Sequence, residues 1–498
     1  MGLELPVSVA FVFISPLLLQ AGFTGLHSSL ILCCGSVIGL FFAPVFGFFS
    51  DYIHTPIGRR RPFIILLSIC VCFSLFLLPE VRKLKHMLSV FVILLDSTSQ
   101  ICLSSYEALL ADIFLNPYGM YSVMLNLGSM LGYLFAYIDW SSYFSRIYDN
   151  FNVSMISLQS QITSENDVIT GLVNSNSSLT LSSSLNNEQV NIRIIFTAIG
   201  CIFTLSFLIA VIFGKEKSYP TSTIGTTPIK RFSLFPNCYI DNIPSWKVTK
   251  NRICPSINRL LLADGLSWAS ILCFKFFFSD YVGQFIFNGH PYPSSNATSE
   301  TKESLLSKYN DGIRAASLLL FYQSLTASVF SLIIQRAVDR IGCKKMYLIG
   351  LLSFGCSIGS IVLFQIENYT VISIMLAFSG IGCACATALP FILLTRYHEN
   401  KPYYFEGTSD ILDRGIGGDI GLLDASYFAC QVSLFAIIGF IYKISLQATL
   451  IASSVLAFCA SVAIYCIVEN VSIKRTSTSK SIYKSNLTSK TSHIHLLR

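Results

Sequence analysis

The sequence predicts an all-α membrane protein with twelve transmembrane helices, and three observations carry that prediction. Of 498 residues, 53% are hydrophobic and only 12% charged, about half the charged share of an average soluble domain. The mean hydropathy is +0.62. The apolar residues are gathered into long runs bounded by charges or turn residues. A surface so short of charge cannot face water, so the chief solvent is lipid. The net charge of +7 comes from Lys and Arg in short connectors that make no continuous basic patch, which argues against a nucleic-acid partner. Sixteen Cys without regular spacing, several inside apolar runs (Cys33, Cys34, Cys70, Cys72), read as small hydrophobes and not as a disulfide or zinc framework.

A bilayer core of about 30 Å takes about 20 helical residues. In the first half the runs are 2–21, 28–49, 63–78, 88–114, 121–138 and 192–213. In the second they are 260–286, 315–338, 346–364, 371–394, 422–441 and 446–468. The first run lacks the basic flank and cleavage site of a signal peptide and holds Glu4 and Pro6, so it reads as a mature span. The stretch 150–191 and the tail from 472 are Ser-rich and too poor in apolar residues to offset the entropy of ordering. They are expected to form a mobile outer loop and tail. The connector 214–255, with Pro220, Pro228, Pro236 and Pro244, divides the chain into six spans and six spans. The domain boundaries that follow are 1–213 (with 139–191 as the outer loop), 214–255, 256–468 and 469–498.

Orientation follows from the basic residues. With a cytoplasmic N-terminus, inner connectors and the tail hold 23 Lys and Arg against nine in the outer ones. Four N-x-S/T sequons, at Asn152, Asn176, Asn296 and Asn368, then fall outside, where glycosylation occurs. Those at Asn470 and Asn486 fall in the tail and would be unused. Both termini are thus expected in the cytoplasm. The sequence leaves open whether the membrane is the plasma membrane or an intracellular one.

The two halves share a signal. After the second run come Asp51 and then Gly58-Arg59-Arg60-Arg61-Pro62, and after the eighth come Asp339-Arg340-Ile341-Gly342 and Lys344-Lys345. An acid at a helix end, a Gly turn and a basic cluster at matching places resemble the signature loop of the major facilitator superfamily, in which two pseudosymmetric six-helix halves enclose one site. That resemblance makes Asp51, Arg59, Arg60, Arg61, Asp339 and Arg340 gate residues, holding the cytoplasmic side closed until the halves rock. The bland alternative is an ordinary basic inner connector.

The likeness then narrows. Ser50-Asp51 through Gly58-Arg-Arg-Arg-Pro-Phe-Ile64 resembles the sucrose–proton symporters and the animal solute carrier family 45. Matches continue through Leu95-Asp96 with Gln100, Glu107-Ala-Leu-Leu-Ala-Asp112 and Gly132 to Trp140, and in the second half through Leu266-Ser-Trp268, Asp280-Tyr-Val-Gly283, Tyr309 to Arg314 and Arg414 to Asp424. The prostein branch and membrane-associated transporter proteins are the nearest in kind. The resemblance implies a proton-coupled symporter of a sugar, sucrose or a related glucoside or hexose, with the proton as coupling ion and no other cofactor.

Ionisable residues at bilayer depth cost about 2.5–3.5 kcal/mol each on insertion scales, so each asks for a reason. Asp96 and Glu107 lie eleven residues apart in the fourth run, about 20° beyond three full turns of a helix, and so share a face. The resemblance marks Asp96 as the proton acceptor, with Glu107 a second proton-coupling candidate. Glu107 stands where the plant members carry an arginine, so their coupling mechanism does not carry over unchanged. A structural carboxyl held by Ser97 or Ser99 is the alternative for Asp96. Glu4, Gln100, Asp264, Trp268, Asp424 and Gln431 are the candidate substrate contacts. Asp424 and Gln431, seven apart, share a face, and Trp268 offers a flat surface to the apolar face of a pyranose. Glu4 could instead lie in the headgroup region. Asp112, at a helix end, joins the gate candidates. Lys275 must pair or snorkel and has no assigned role.

There is no phosphate-binding G-x-x-x-x-G-K-[ST] loop, no H-E-x-x-H and no C-x-x-C pair, and neither an enzyme nor a metal site is expected. The partners expected are a sugar, protons and the bilayer, and a monomer satisfies the fold. The rival functions are a proton-linked or facilitative carrier of a non-sugar solute, and a transporter-like sensor or trafficking protein.

Overall fold

The computed structural model describes residues 1–55, 58, 60–81, 84–113, 118–147, 180–213, 230–231, 239–240, 254–291, 299–364, 368–405 and 416–467. Each of the twelve apolar runs is a helix. These are α1 (Glu4–Gln20), α2 (Gly25–Tyr52), α3 (Arg61–Leu77), α4 (Lys85–Ile113), α5 (Tyr118–Tyr137) and α6 (Thr180–Phe213), then α7 (Pro255–Tyr281), α8 (Ser299–Ile341), α9 (Cys343–Leu363), α10 (Tyr369–Glu399), α11 (Ile416–Ile444) and α12 (Leu446–Ile467). Lipid offers no partner to a backbone N–H or C=O, so a spanning segment must satisfy its own. The many hydroxyls in these runs do the same locally. Ser36 donates to the Leu32 carbonyl at 2.9 Å, Ser105 to Ile101 at 3.2 Å and Ser461 to Ala457 at 2.8 Å, which buries each hydroxyl without a tertiary partner.

Among the described residues nine helices are long and apolar enough to cross a bilayer alone, and α5 qualifies together with a short helix bent 60° from it, Trp140–Ile147. The other two, α1 and α3, have 17 residues each and reach about 25 Å at 1.5 Å per residue. Large apolar side chains such as Phe41, Ile212 and Val462 face outward, as they do where the surrounding medium is lipid.

Several boundaries differ from the sequence expectation. The outer loop predicted for 139–191 begins with the Trp140–Ile147 helix and ends inside α6. Asp139 accepts from the Ser142 N–H at 3.2 Å and from its hydroxyl at 2.8 Å, and Trp140 stacks on Phe135 at 4.6 Å. A capped start and an aromatic cluster hold a helix where composition suggested none. Further along, α8 starts 16 residues before the apolar run it contains, and over 43 residues it is about 64 Å long. The connector supplies two two-residue strands, β2 (Lys230–Arg231) and β3 (Tyr239–Ile240). β3 lies between β2 and β1 (Ile53–His54), antiparallel to both.

Helix packing repeats with a shift of six. The pairs α1–α5, α1–α6, α2–α4, α3–α4 and α3–α6 in the first half return as α7–α11, α7–α12, α8–α10, α9–α10 and α9–α12 in the second. Between the halves, α2 packs on α11 and α5 on α8, and the same shift converts one pair into the other. The chain therefore folds as two pseudosymmetric six-helix halves. Small residues permit the close crossings. At Gly132 of α5 an added Cβ would lie 2.0 Å from Ser8 Oγ and 2.6 Å from the Leu5 carbonyl of α1.

Candidate functional site

A cavity lies between the halves, lined from six helices. α1 contributes Glu4 and Phe11, α4 Gln100 and Glu107, α5 Tyr121, α7 Asp264, Trp268 and Lys275, α10 Thr387 and Phe391, and α11 Asp424, Tyr427 and Phe428. Five of the six candidate substrate contacts, Glu4, Gln100, Asp264, Trp268 and Asp424, are thus brought to one place, together with Glu107. Glu4 sits in the cavity wall. It is buried, and Ser129 Oγ of α5 donates to its Oε1 at 2.8 Å.

The acids are incompletely satisfied. Tyr121 OH donates to Glu107 Oε1, while Glu107 Oε2, Asp264 Oδ1 and Asp424 Oδ2 are buried without a hydrogen-bond partner. Buried polar atoms are nearly always paired, so orphans gathered at one cavity mark a place where something else binds. Trp268 meets Tyr427 edge to face at 5.4 Å, giving the cavity an aromatic wall. Lys275 neither snorkels nor stands alone. Its Nζ lies 5.4 Å from the centre of the Phe11 ring, and Tyr133, Cys383 and Glu4 are its electrostatic neighbours.

Asp96 and Gln431 depart from the expectation. Asp96 lines a separate, adjoining pocket with Ser99, Leu95 and Phe276, joined to the main cavity only through shared walls at Val7, Phe11 and Gln100. Eleven residues separate Asp96 from Glu107 by about 16 Å along the helix axis, so one face serves two pockets. Neither Ser97 nor Ser99 holds the Asp96 carboxyl, since Ser97 donates to Ile93 O and Ser99 to Asp96 O. Gln431, expected in the substrate cavity with Asp424, is buried beside Asp96, and its side-chain amide is the polar group nearest that carboxyl. Gly35 of α2 makes the room, because a Cβ there would stand 2.7 Å from Asp96 Oδ2.

The halves meet on both sides of the cavity. At the C-terminal end of α1, Ser15 Oγ donates to Asp280 Oδ2 of α7 at 2.5 Å, and Tyr309 OH of α8 donates to Asp280 Oδ1 at 2.5 Å. Gln20 bonds Asn310 at 3.1 Å, and Asp139 pairs with Arg314 at 3.0 Å. At the N-terminal end of α5, Ser122 reaches Ser331 of α8 at 2.9 Å and Thr387 of α10 at 2.8 Å. Tyr121 meets Phe391 at 6.2 Å. The expected gate residues lie beyond this second seal. Arg60 is buried and donates to Ser50 Oγ and toward the Gly47 carbonyl, at 3.5 Å, so it clasps the end of its own α2. Arg61 opens α3. Asp339 pairs with Arg396 of α10 at 3.5 Å and not with the neighbouring Arg340, an exposed residue of the last turn of α8. Asn368 caps α10, accepting from the Thr370 N–H at 3.0 Å. Arg59, Asn152, Asn176 and Asn296, and the side chains of Asp51 and Asp112, lie outside the described residues.

Sequence reasoning missed Tyr121, Ser129, Thr387, Phe391, Gly35 and the Ser15–Asp280–Tyr309 bridge. All but Asp280 are residue types common in apolar helices, and for each it is the partner from another helix that gives it meaning.

Comparison with known proteins agrees with this geometry. A model of the Major Facilitator Superfamily matches residues 302–493. The chain superposes on the human organic anion transporter MFSD10 with a TM-score of 0.54 at 14% identity, covering 93% of this chain and 97% of that one. This is an all-α, multi-pass secondary transporter with the major facilitator fold, and not an enzyme. In sequence it is similar to human solute carrier family 45 member 3, 28% identical over 432 residues that make up 81% of this chain and 69% of that protein. It is also similar to human proton-associated sugar transporter A, 29% identical over 185 residues, 37% of this chain and 23% of that one. The chain thus resembles members of solute carrier family 45 over most of its length.

Proposed function

We propose that the protein moves a polyhydroxylated solute, sucrose or a related glucoside or hexose, in symport with a proton by alternating access to the cavity between its halves. The observation that carries this reading is the pairing of unpartnered carboxyl oxygens with an aromatic wall in that one cavity. Carboxyl and amide groups exchange hydrogen bonds with sugar hydroxyls, the rings of Trp268 and Tyr427 suit the apolar face of a pyranose, and an acid that can gain and lose a proton supplies coupling. Similarity to proton-associated sugar transporter A supports both solute and ion. The termini are cytoplasmic in this reading, the basic loops form the inner gate, and the Ser15–Asp280–Tyr309 bridge closes the outer side.

Counterflow of radiolabelled sucrose in proteoliposomes of the full chain tests this. Saturable exchange is expected, with uphill accumulation when an inward proton gradient is imposed. Exchange that ignores the gradient would make the protein a facilitator. Failure to exchange sucrose, maltose and glucose would end the sugar reading.

A further inference from the structure

We propose that Glu107, Asp264 and Asp424 form a single proton-binding site that straddles the two halves and is shared by the three side chains while the halves are closed on the cavity. This rests on the proton-coupled reading above and deepens it. Glu107 comes from α4 of the first half, Asp264 and Asp424 from α7 and α11 of the second. All three line one cavity, Glu107 feels both aspartates, and Asp264 feels Asp424. Glu107 is 4% exposed and Asp264 1%, and each acid of the three ends in one oxygen without a partner. An ionised carboxylate has only acceptors and needs donors around it. A protonated one brings its own donor, so orphaned acid oxygens gathered at one cavity are where a proton fits.

The groups around the three acids strengthen the case. Glu107 meets Tyr121 from α5 and Glu4 from α1. Asp264 has Ser426 and Cys430 of α11 and Tyr347 of α9 beside it. Asp424 is flanked by Ser104 of α4 and Tyr427. No cation is among these described neighbours, and Lys275 is engaged with Glu4, Tyr133 and Cys383. Like charges close together and away from water cannot all be carried at once, so the cluster holds a proton in common. When the halves rock, Glu107 parts from both aspartates and water enters. Both reasons for keeping the proton then vanish together, which ties its release to opening of the cavity. Asp96 stands apart from this cluster, lining its own pocket with Leu95 and Ser99 and with Gln431 beside it.

Dicyclohexylcarbodiimide, which modifies protonated carboxyls in apolar surroundings, is the direct probe. Applied at pH 7 to the purified full chain, with peptides read by mass spectrometry, it is expected to label Glu107, Asp264 or Asp424, and to do so equally in Asp96→Asn. In vesicles, Glu107→Gln, Asp264→Asn and Asp424→Asn are each expected to lower pH-driven sucrose accumulation about tenfold and to lower counterflow less. Label on Asp96 alone, or on none of the three, overturns the shared site, as does wild-type accumulation in all three variants. Label on the three with no sucrose movement by the wild type would remove the sugar reading and leave the shared site standing.

Discussion

At the scale of single residues, Asp96 is the test of what resemblance can carry. It is a buried acid in a pocket beside, not within, the main cavity. Asp96→Asn keeps its shape and hydrogen bonding but cannot titrate. If Asp96 alone couples the proton, this variant should lose uphill sucrose accumulation and retain some downhill exchange. With the shared site at Glu107, accumulation should survive, and Glu107→Gln should lower it about tenfold. Gly35→Ala probes the same acid without touching its chemistry. The new Cβ would press on Oδ2 from 2.7 Å and turn the carboxyl away from its pocket. The gain in helix propensity of about 1 kcal/mol offsets part of that strain, so the expected outcome is slower sucrose counterflow with a thermal midpoint moved by little. Unchanged transport would show that the carboxyl's orientation does not matter.

Among the helices, the close crossings decide stability and the bridges decide state. Gly132→Ala would set a methyl 2.6 Å from a backbone carbonyl of α1, which cannot swing aside. A destabilisation of about 1–3 kcal/mol is expected, read as a lower melting temperature in detergent. Gly119→Ala, with open space around it, should melt like the wild type. Tyr309→Phe removes one of the two donors to Asp280 and leaves a buried acid oxygen unsatisfied, a cost of about 1–3 kcal/mol to the closed state of that side of the cavity. Thiol-reagent labelling of a cysteine placed at Ser15 should therefore be faster in the Tyr309→Phe background, and equal rates would exclude the bridge as a latch.

For the whole molecule, the excess of basic residues in alternate connectors predicts that both termini share one face and the 139–191 segment the other. A glycosylation scan is expected to find glycans at Asn152 or Asn176 and none at Asn470 or Asn486, and the reverse pattern would invert the protein. Asp51→Asn, at the C-terminal end of α2, is expected to slow transport several-fold with a small change in apparent affinity, as a gate residue at a helix end would. A large affinity loss at unchanged rate would remove it from the gate.

The amino-acid sequence alone determined the twelve spans, their division into two halves and most of the acids in the cavity. Those follow from local rules: lipid demands long apolar helices, and a charge among them is rare enough to stand out. Helical periodicity likewise placed Asp96 and Glu107 on one face. Only the tertiary structure decided which pocket each enters and what it meets there. Gln431 left Asp424 for Asp96, Glu107 joined Asp264 and Asp424 from the other half, Lys275 found Glu4, and Asp280 found Ser15 and Tyr309. The physical reason is that a helix's sequence specifies angle and rise about its own axis, whereas a partner's distance depends on how helices hundreds of residues apart rotate and cross. That depends on small contacts such as Gly35 and Gly132, whose residue type is unremarkable until another chain segment lies against it.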